Sequence, residues 1–334
     1  MTTRGLMLCM VALCCGCHGS ARTTSIPTVR LAIHRDPIAF VPLRVAESLG
    51  YFREEGIAVD MTEVAGGAKA IEALLGGSVD VAIGSMSDAV ALAAQGRYLR
   101  GILVLYARPT IALAVAPALS GSIRTVKDLT GRTVGVSAPG SASHQALNFL
   151  LVENGLSPDD VSTVSVGMSA SSVAALEHRT VDAAILIASA ITLLEQRQPE
   201  CRLLADTRTP EGARRLYGSE NFPALSLLAE DAWLEKNTET ARRLVRAVKK
   251  GMQWMRDQPP ERVRDIIPRA ARMATPGADL QAIRTVQAAL SPDGLMSPAA
   301  AELIEKFVAV SDTRVRSAQL DLSRTYTNDF AMRK

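Results

Sequence analysis

Aromatic residues are scarce in this 334-residue chain, 4% against a hydrophobic content of 48%. Its cores must therefore be built from Ala, Val, Leu and Ile, which suits helices packed closely on parallel strands. Excess charge is also missing. A formal net charge of +3 gives no electrostatic reason to expect a nucleic-acid partner. The five cysteines show no zinc-finger spacing, and no convergent set of His, Cys or acidic residues marks a metal site. Neither a metal nor a cofactor is expected.

The N-terminus is a leader rather than a membrane span. Arg4 precedes an apolar run from Leu6 to Cys15, about ten residues and too short to cross a bilayer, which ends at Gly16-Cys17. A small residue before a cysteine at the end of such a run looks like a bacterial lipoprotein signal, with Cys17 the acylated first residue. On that reading 1–17 is the signal and 18–27, rich in Ser, Thr and Arg, a tether. Cys9, Cys14 and Cys15 then leave with the signal. Only Cys17 and Cys201 remain, too few for a disulfide framework, so the fold must rest on its apolar cores. The expected location is periplasmic or cell-surface, lipid-anchored.

A faint repeat at an offset of about 102 residues organises the rest. Val29–Ile33, a helical stretch 41–52 and Ile57–Val64 lead into AGGAKAIEALLGGSVDVAIG; Thr133–Val136, SHQALNFLLVENG and Val161–Val166 lead into GMSASSVAALEHRTVDAAIL. Each copy is a β-α-β-α-β run, so two open, mainly parallel sheets are expected, each flanked by helices. Asp80 and Asp182 occupy matching positions before the third strand and are read as turn residues on the far side of each sheet. Strand-like stretches at 110–116 and 224–229 are taken as crossings between two lobes. The first lobe would comprise 28–112 and 225–334, the second 118–220. Helices are expected at 230–255, 260–273, 278–289 and 297–310, padding the first lobe. The basic side of 230–255 is read as solvated surface rather than as a membrane-inserting amphipathic face.

Ligands of open α/β sheets sit beyond the C-terminal strand ends, where helix N-termini offer unpaired N–H groups. Candidates there are His34, Arg35, Asp36 and Pro37; Gly67 and Ala68; Ser85, Met86 and Ser87; Ser137, Gly140, Ser141 and His144; Met168 and Ser169; and Ser189. The serines double as caps, and the glycines permit close backbone approach.

Three stretches, AESLGYFREEGIAVD (46–60), EALLGGSVDVAIGS (72–85) and KDLTGRTVGVSAPGSASHQAL (127–147), resemble the ABC-transporter periplasmic binding proteins for nitrate, taurine and alkanesulfonates and the related thiamine-pyrimidine-precursor (NMT1/THI5-like) binders. The resemblance implies a type II periplasmic-binding fold, closure of two lobes on a small anionic or heterocyclic solute, and delivery by a monomer to a membrane permease, with no catalysis. It also implies that the candidate loops above form the pocket, although an aromatic residue common in the Ala188-Ser189 loop of sulfonate binders is absent and Phe40 and Tyr106 are the only aromatic aids in view. The alternatives are a ligand-sensing or interaction lipoprotein on the same fold, and a biosynthetic enzyme related to the pyrimidine synthases.

Overall fold

The structure, a computed structural model, describes residues 26–332 apart from 35, 37, 168, 270, 271, 274 and 275. Signal, Cys17 and most of the tether lie outside the described residues, as do three candidates, Arg35, Pro37 and Met168.

Two five-stranded sheets carry the fold. In the first, β1 (Thr28–His34), β2 (Ala58–Val64), β3 (Val81–Ser85), β4 (Arg100–Val104) and β10 (Leu225–Ala229) lie in the order β2-β1-β3-β10-β4. In the second, β5 (Ile111–Val115), β6 (Thr133–Val136), β7 (Ser162–Ser165), β8 (Ala183–Ile187) and β9 (Leu203–Asp206) lie in the order β7-β6-β8-β5-β9. The repeat thus maps strand for strand: β1 pairs in parallel with β2 and β3, and β6 with β7 and β8. Burial supports the pairing, because β3 and β8 run as continuous apolar segments covered on both faces.

The two stretches expected as crossings are themselves strands. β10 lies antiparallel between β3 and β4, and β5 antiparallel between β8 and β9, so each sheet receives its one reversed strand from the chain returning between lobes. The expected limit at 112 therefore falls inside β5; the chain changes sheets between Val104 and Ile111 and again between Tyr217 and Leu225. The matched aspartates have a shared task. Asp80 accepts the Arg30 backbone N–H at 2.9 Å and Asp182 that of Thr133 at 2.9 Å, each fastening the third strand to the first.

Among the described residues fifteen α-helices cover the sheets. The first expected helix is two, α1 (Val41–Ser48) and α2 (Tyr51–Glu54), split where Gly50 takes a left-handed conformation that costs glycine nothing. α3 (Gly67–Leu75) and α4 (Met86–Ala93) follow in the first lobe; α5 (Ala142–Glu153), α6 (Ala170–Glu177), α7 (Ala188–Arg197) and α8 (Pro210–Tyr217) belong to the second. The segment expected at 230–255 is α9 (Asp231–Lys236) and α10 (Thr238–Asp257). α11 (Pro260–Ile266) stops well short of 273 because Pro268 follows. α12 (Pro276–Ala289), α13 (Pro298–Ala309), α14 (Thr313–Ser317) and α15 (Asp329–Met332) complete the chain. These C-terminal helices do more than pad one lobe: α12 lies against α7 and α13 against α5, so they bridge to the second.

Candidate functional site

The two sheets aim their C-terminal strand ends at each other, and a cavity of about 120 Å³ lies between them. β1 ends at His34 and leads to Asp36; β3 leads into Ser85 and Ser87; α5 contributes Ser143, and the β8–α7 junction Ser189. For scale, an apolar cavity of roughly 150 Å³ accommodates benzene. The cavity is therefore sized for a single small ring.

One hydrogen bond closes the lobes across it. Ser189 Oγ, on α7 of the second lobe, donates to Asp36 Oδ2 of the first at 2.8 Å. Asp36 Oδ1 meanwhile accepts the backbone N–H groups of Ile38 (2.7 Å) and Ala39 (2.5 Å), which fixes the carboxylate in its turn. Beside it His34 is 5% exposed, its ring edge-on to Phe40 at 4.5 Å between centroids. Burial lowers the His34 pKa below its usual value, against the opposing pull of the Asp36 carboxylate, so the imidazole is held neutral. It lines the cavity, and no hydrogen bond joins its ring to a described residue. Ser85 and Ser87 bond each other at 2.9 Å, and Ser85 also caps α4.

Of the candidates, His34, Asp36, Ser85, Ser87 and Ser189 line this cavity; the other described ones do not. Met86 points the opposite way, 1% exposed, with its sulfur packed against Gly101 in the core, because consecutive residues of a helix face different sides. Ser137 and Ser141 lie one step behind the wall: with Ser143 they form a ring of hydroxyls at 2.8, 2.8 and 2.9 Å, and only Ser143 reaches the cavity. Gly140 and His144 line a different groove with Ala68, and the Gly140 N–H donates to His144 Nδ1 at 2.8 Å, so that histidine serves its own loop. Ser169 gives its carbonyl to the Ser172 hydroxyl at 2.6 Å, and Gly67 meets nothing a side chain would disturb.

What sequence reasoning missed is the aromatic wall. Tyr217 closes α8, Phe222 sits in the second crossing and Phe307 comes from α13; all three line the cavity with Tyr106. Tyr217 and Phe222 stack at 4.1 Å between centroids, and Phe307 meets both edge-on, at 5.6 and 5.1 Å. Phe149 of α5 joins Phe307 at 5.0 Å, tying the lobes together. Tyr106 donates its hydroxyl to the Ala39 carbonyl at 3.0 Å, and burial drives its pKa up. Arg108 is the single guanidinium among the described lining residues. One of its NH₂ groups is already given to the Ala288 carbonyl at 2.7 Å, and its Nε is sealed away without a partner.

The sequence profile of the NMT1/THI5-like family matches residues 38–262. The chain belongs to that family. A protein of Bordetella bronchiseptica RB50 is 30% identical, with a TM-score of 0.85 over 91% of this chain and 95% of that one. The alkanesulfonate-binding protein SsuA from Xanthomonas axonopodis pv. citri, bound to MOPS, shares the fold at 17% identity (TM-score 0.70, 90% of this chain and 98% of that one), as does the nitrate-binding protein NrtA from Synechocystis PCC 6803 at 16% (TM-score 0.71, 91% and 87%). The architecture is that of the type II periplasmic binding proteins. Among curated relatives, the 4-amino-5-hydroxymethyl-2-methylpyrimidine phosphate synthase THI11 of Saccharomyces cerevisiae is 24% identical over 226 residues, 66% of this chain. The match spans 64% of that synthase's length, short of two thirds.

Proposed function

We propose that this chain is the extracytoplasmic solute-binding component of an ABC importer, and that its solute is a small planar heterocycle with N–H donors rather than a free oxyanion. The observation that carries this reading is the cavity itself, a ring-sized space walled by both lobes and bridged by the Ser189–Asp36 hydrogen bond. Its described charged groups are one fixed carboxylate, Asp36, and one guanidinium committed to a backbone carbonyl, Arg108. An anion would face the carboxylate; an N–H donor would complete it. Tyr217, Phe222 and Phe307 supply flat apolar surface, and burying about 100 Å² of ring contributes on the order of 2.5 kcal/mol. Neutral His34 can either donate or accept, as the tautomer allows.

Capture follows from the same contacts. In an open form a solute first meets one lobe; closing the second over it excludes water, which strengthens each polar contact with His34, Asp36 and the serines. The free energy of closure is then linked to occupancy, and the occupied form is the one a membrane permease reads. Export by the N-terminal signal, acylation at Cys17 and a monomeric state belong to this proposal.

The synthases among the curated relatives favour a second reading, a pyrimidine synthase. The two separate cleanly. The chain from residue 18 onward is melted against a panel of pyrimidines, other N-heterocycles, sulfonates, carboxylates and nitrate, and bound solute is analysed by native mass spectrometry before and after incubation. A binder is stabilised by roughly 2.7 kcal/mol at a ligand concentration 100 times Kd, and returns the solute unchanged. Stabilisation by sulfonates or nitrate alone would overturn the solute class; a changed mass would overturn the non-catalytic role.

A further inference from the structure

The outer face of the first lobe carries a second, unrelated feature. α10 has six basic side chains, Arg242, Arg243, Arg246, Lys249, Lys250 and Arg256, against two acidic ones, Glu239 and Asp257. Its apolar side, including Leu244, Val248 and Met252, is buried in the core, so this helix has no free face with which to insert into a bilayer. What remains outside is a groove of about 340 Å³ bordered by four basic side chains, Arg246, Lys249, Lys250 and Arg256, and one acidic one, Asp293, together with Met332. Arg246 and Lys250 are neutralised by Glu54, Glu55 and Glu239. Lys249 and Arg256 are not. Lys249 reaches only the Ala331 carbonyl, Arg256 the Ser291 carbonyl and the Gln253 amide, and neither has a carboxylate partner among the described residues.

The place where the chain enters the fold lies alongside. The Pro27 carbonyl accepts the Ala58 N–H at 2.9 Å, and the preceding turn is held to α10 by the Glu55–Arg246 ion pair at 2.8 Å. Ile26, at that entry point, and Met332, in the groove, are each 61% exposed, whereas most large apolar side chains among the described residues are covered. Two cations without a carboxylate partner among the described residues and the exposed Met332 thus lie together on the α10 surface. We infer that this groove is a docking surface for the anionic phospholipid headgroups of a bilayer, peripheral and electrostatic in kind. It depends neither on the solute proposal nor on acylation of Cys17.

The test uses the chain from residue 18 onward, which carries neither the apolar leader nor Cys17, and measures co-sedimentation with vesicles of phosphatidylcholine alone or with one third phosphatidylglycerol. The expected result is tighter partition onto the anionic vesicles, abolished in 1 M salt, where the Debye length falls to about 3 Å. The pair Lys249→Gln and Arg256→Gln should weaken it about 30-fold, the worth of two basic side chains near an anionic surface. A matched pair elsewhere, Lys127→Gln and Lys306→Gln, removes the same charge and should change it far less. Equal partition onto both vesicles, or equal losses from both pairs, would overturn the inference. Unchanged melting of the Lys249/Arg256 variant keeps a loss from being ascribed to unfolding.

Discussion

Asp36→Asn is the substitution with the most to say about the solute. The replacement keeps an oxygen where Asp36 Oδ1 accepts the Ile38 and Ala39 N–H groups at 2.7 and 2.5 Å, so the turn is retained. On the other side an amide NH₂ replaces the Oδ2 that accepts from Ser189 at 2.8 Å. The serine hydroxyl can rotate and accept instead, so the bridge between lobes survives with its direction reversed. What is lost is the charge and, with Oδ2, the acceptor not already filled by the Ile38 and Ala39 N–H groups. An N–H-donating solute should therefore lose a hydrogen bond to a charged group, about 1.5–3 kcal/mol, or roughly 10- to 150-fold in Kd. An anionic solute would respond with the opposite sign, because the substitution removes a like charge from its surroundings. Isothermal titration of wild type and variant at one pH, with the best binder from the panel, reads the sign directly. Tighter binding by Asp36→Asn would refute the assignment of the carboxylate as a solute acceptor, and with it the heterocycle reading.

Three further outcomes follow from the packing. Phe307→Ala removes a ring, 3% exposed, that touches Phe149, Tyr217 and Phe222; it should cost about 3–5 kcal/mol and lower Tm by about 5–8 °C, checked by calorimetry. Gly251→Ala would ordinarily strengthen a helix by about 1 kcal/mol, yet here the new Cβ would lie under the distance of any real contact from the Pro42 carbonyl oxygen, so α1 and α10 must part and the net effect should be a loss of about 1–3 kcal/mol in urea unfolding. Burial pushes the Asp88 carboxyl up to about 6 from an ordinary 3.8, against the Ser85 N–H that favours its charged form. The folded chain then holds this proton more tightly than the unfolded one, so the group lowers stability as pH rises from 3.8 to about 6, and Asp88→Asn should flatten that slope in urea midpoints taken across the window.

How far the sequence could be read depended on whether a feature leaves a period. The strand-helix alternation does, and the repeat located β1, β3, β6 and β8 to within two residues at each end, because a buried parallel strand is a short apolar run closed by a turn. The reversed strands leave no such mark. Ile111–Val115 and Leu225–Ala229 are apolar runs like the others, and only the sheet order shows that each pairs backwards in the lobe it has just entered. The same division runs through the site. Strand-end loops are marked by the pattern, which is why His34, Asp36, Ser85, Ser87 and Ser189 were all in view. Within a loop, however, a one-residue step decides whether a side chain faces the cavity or the core, and Met86 beside Ser87 shows that spacing alone does not settle it.

The aromatic wall was illegible for a different reason. Tyr217, Phe222 and Phe307 come from a helix end, a crossing and a C-terminal helix, and each stands alone among polar or aliphatic neighbours in the sequence. A chain with so few aromatics looked unable to build such a surface, yet a small total is no bar when several of them converge on one cavity. Composition averages over the whole chain, whereas recognition depends on the few side chains that folding gathers. The chemistry of the solute is therefore written chiefly in what distant segments bring to one cavity, above all the Asp36 carboxylate and the three rings that line it, and it is there that substitutions will be most informative.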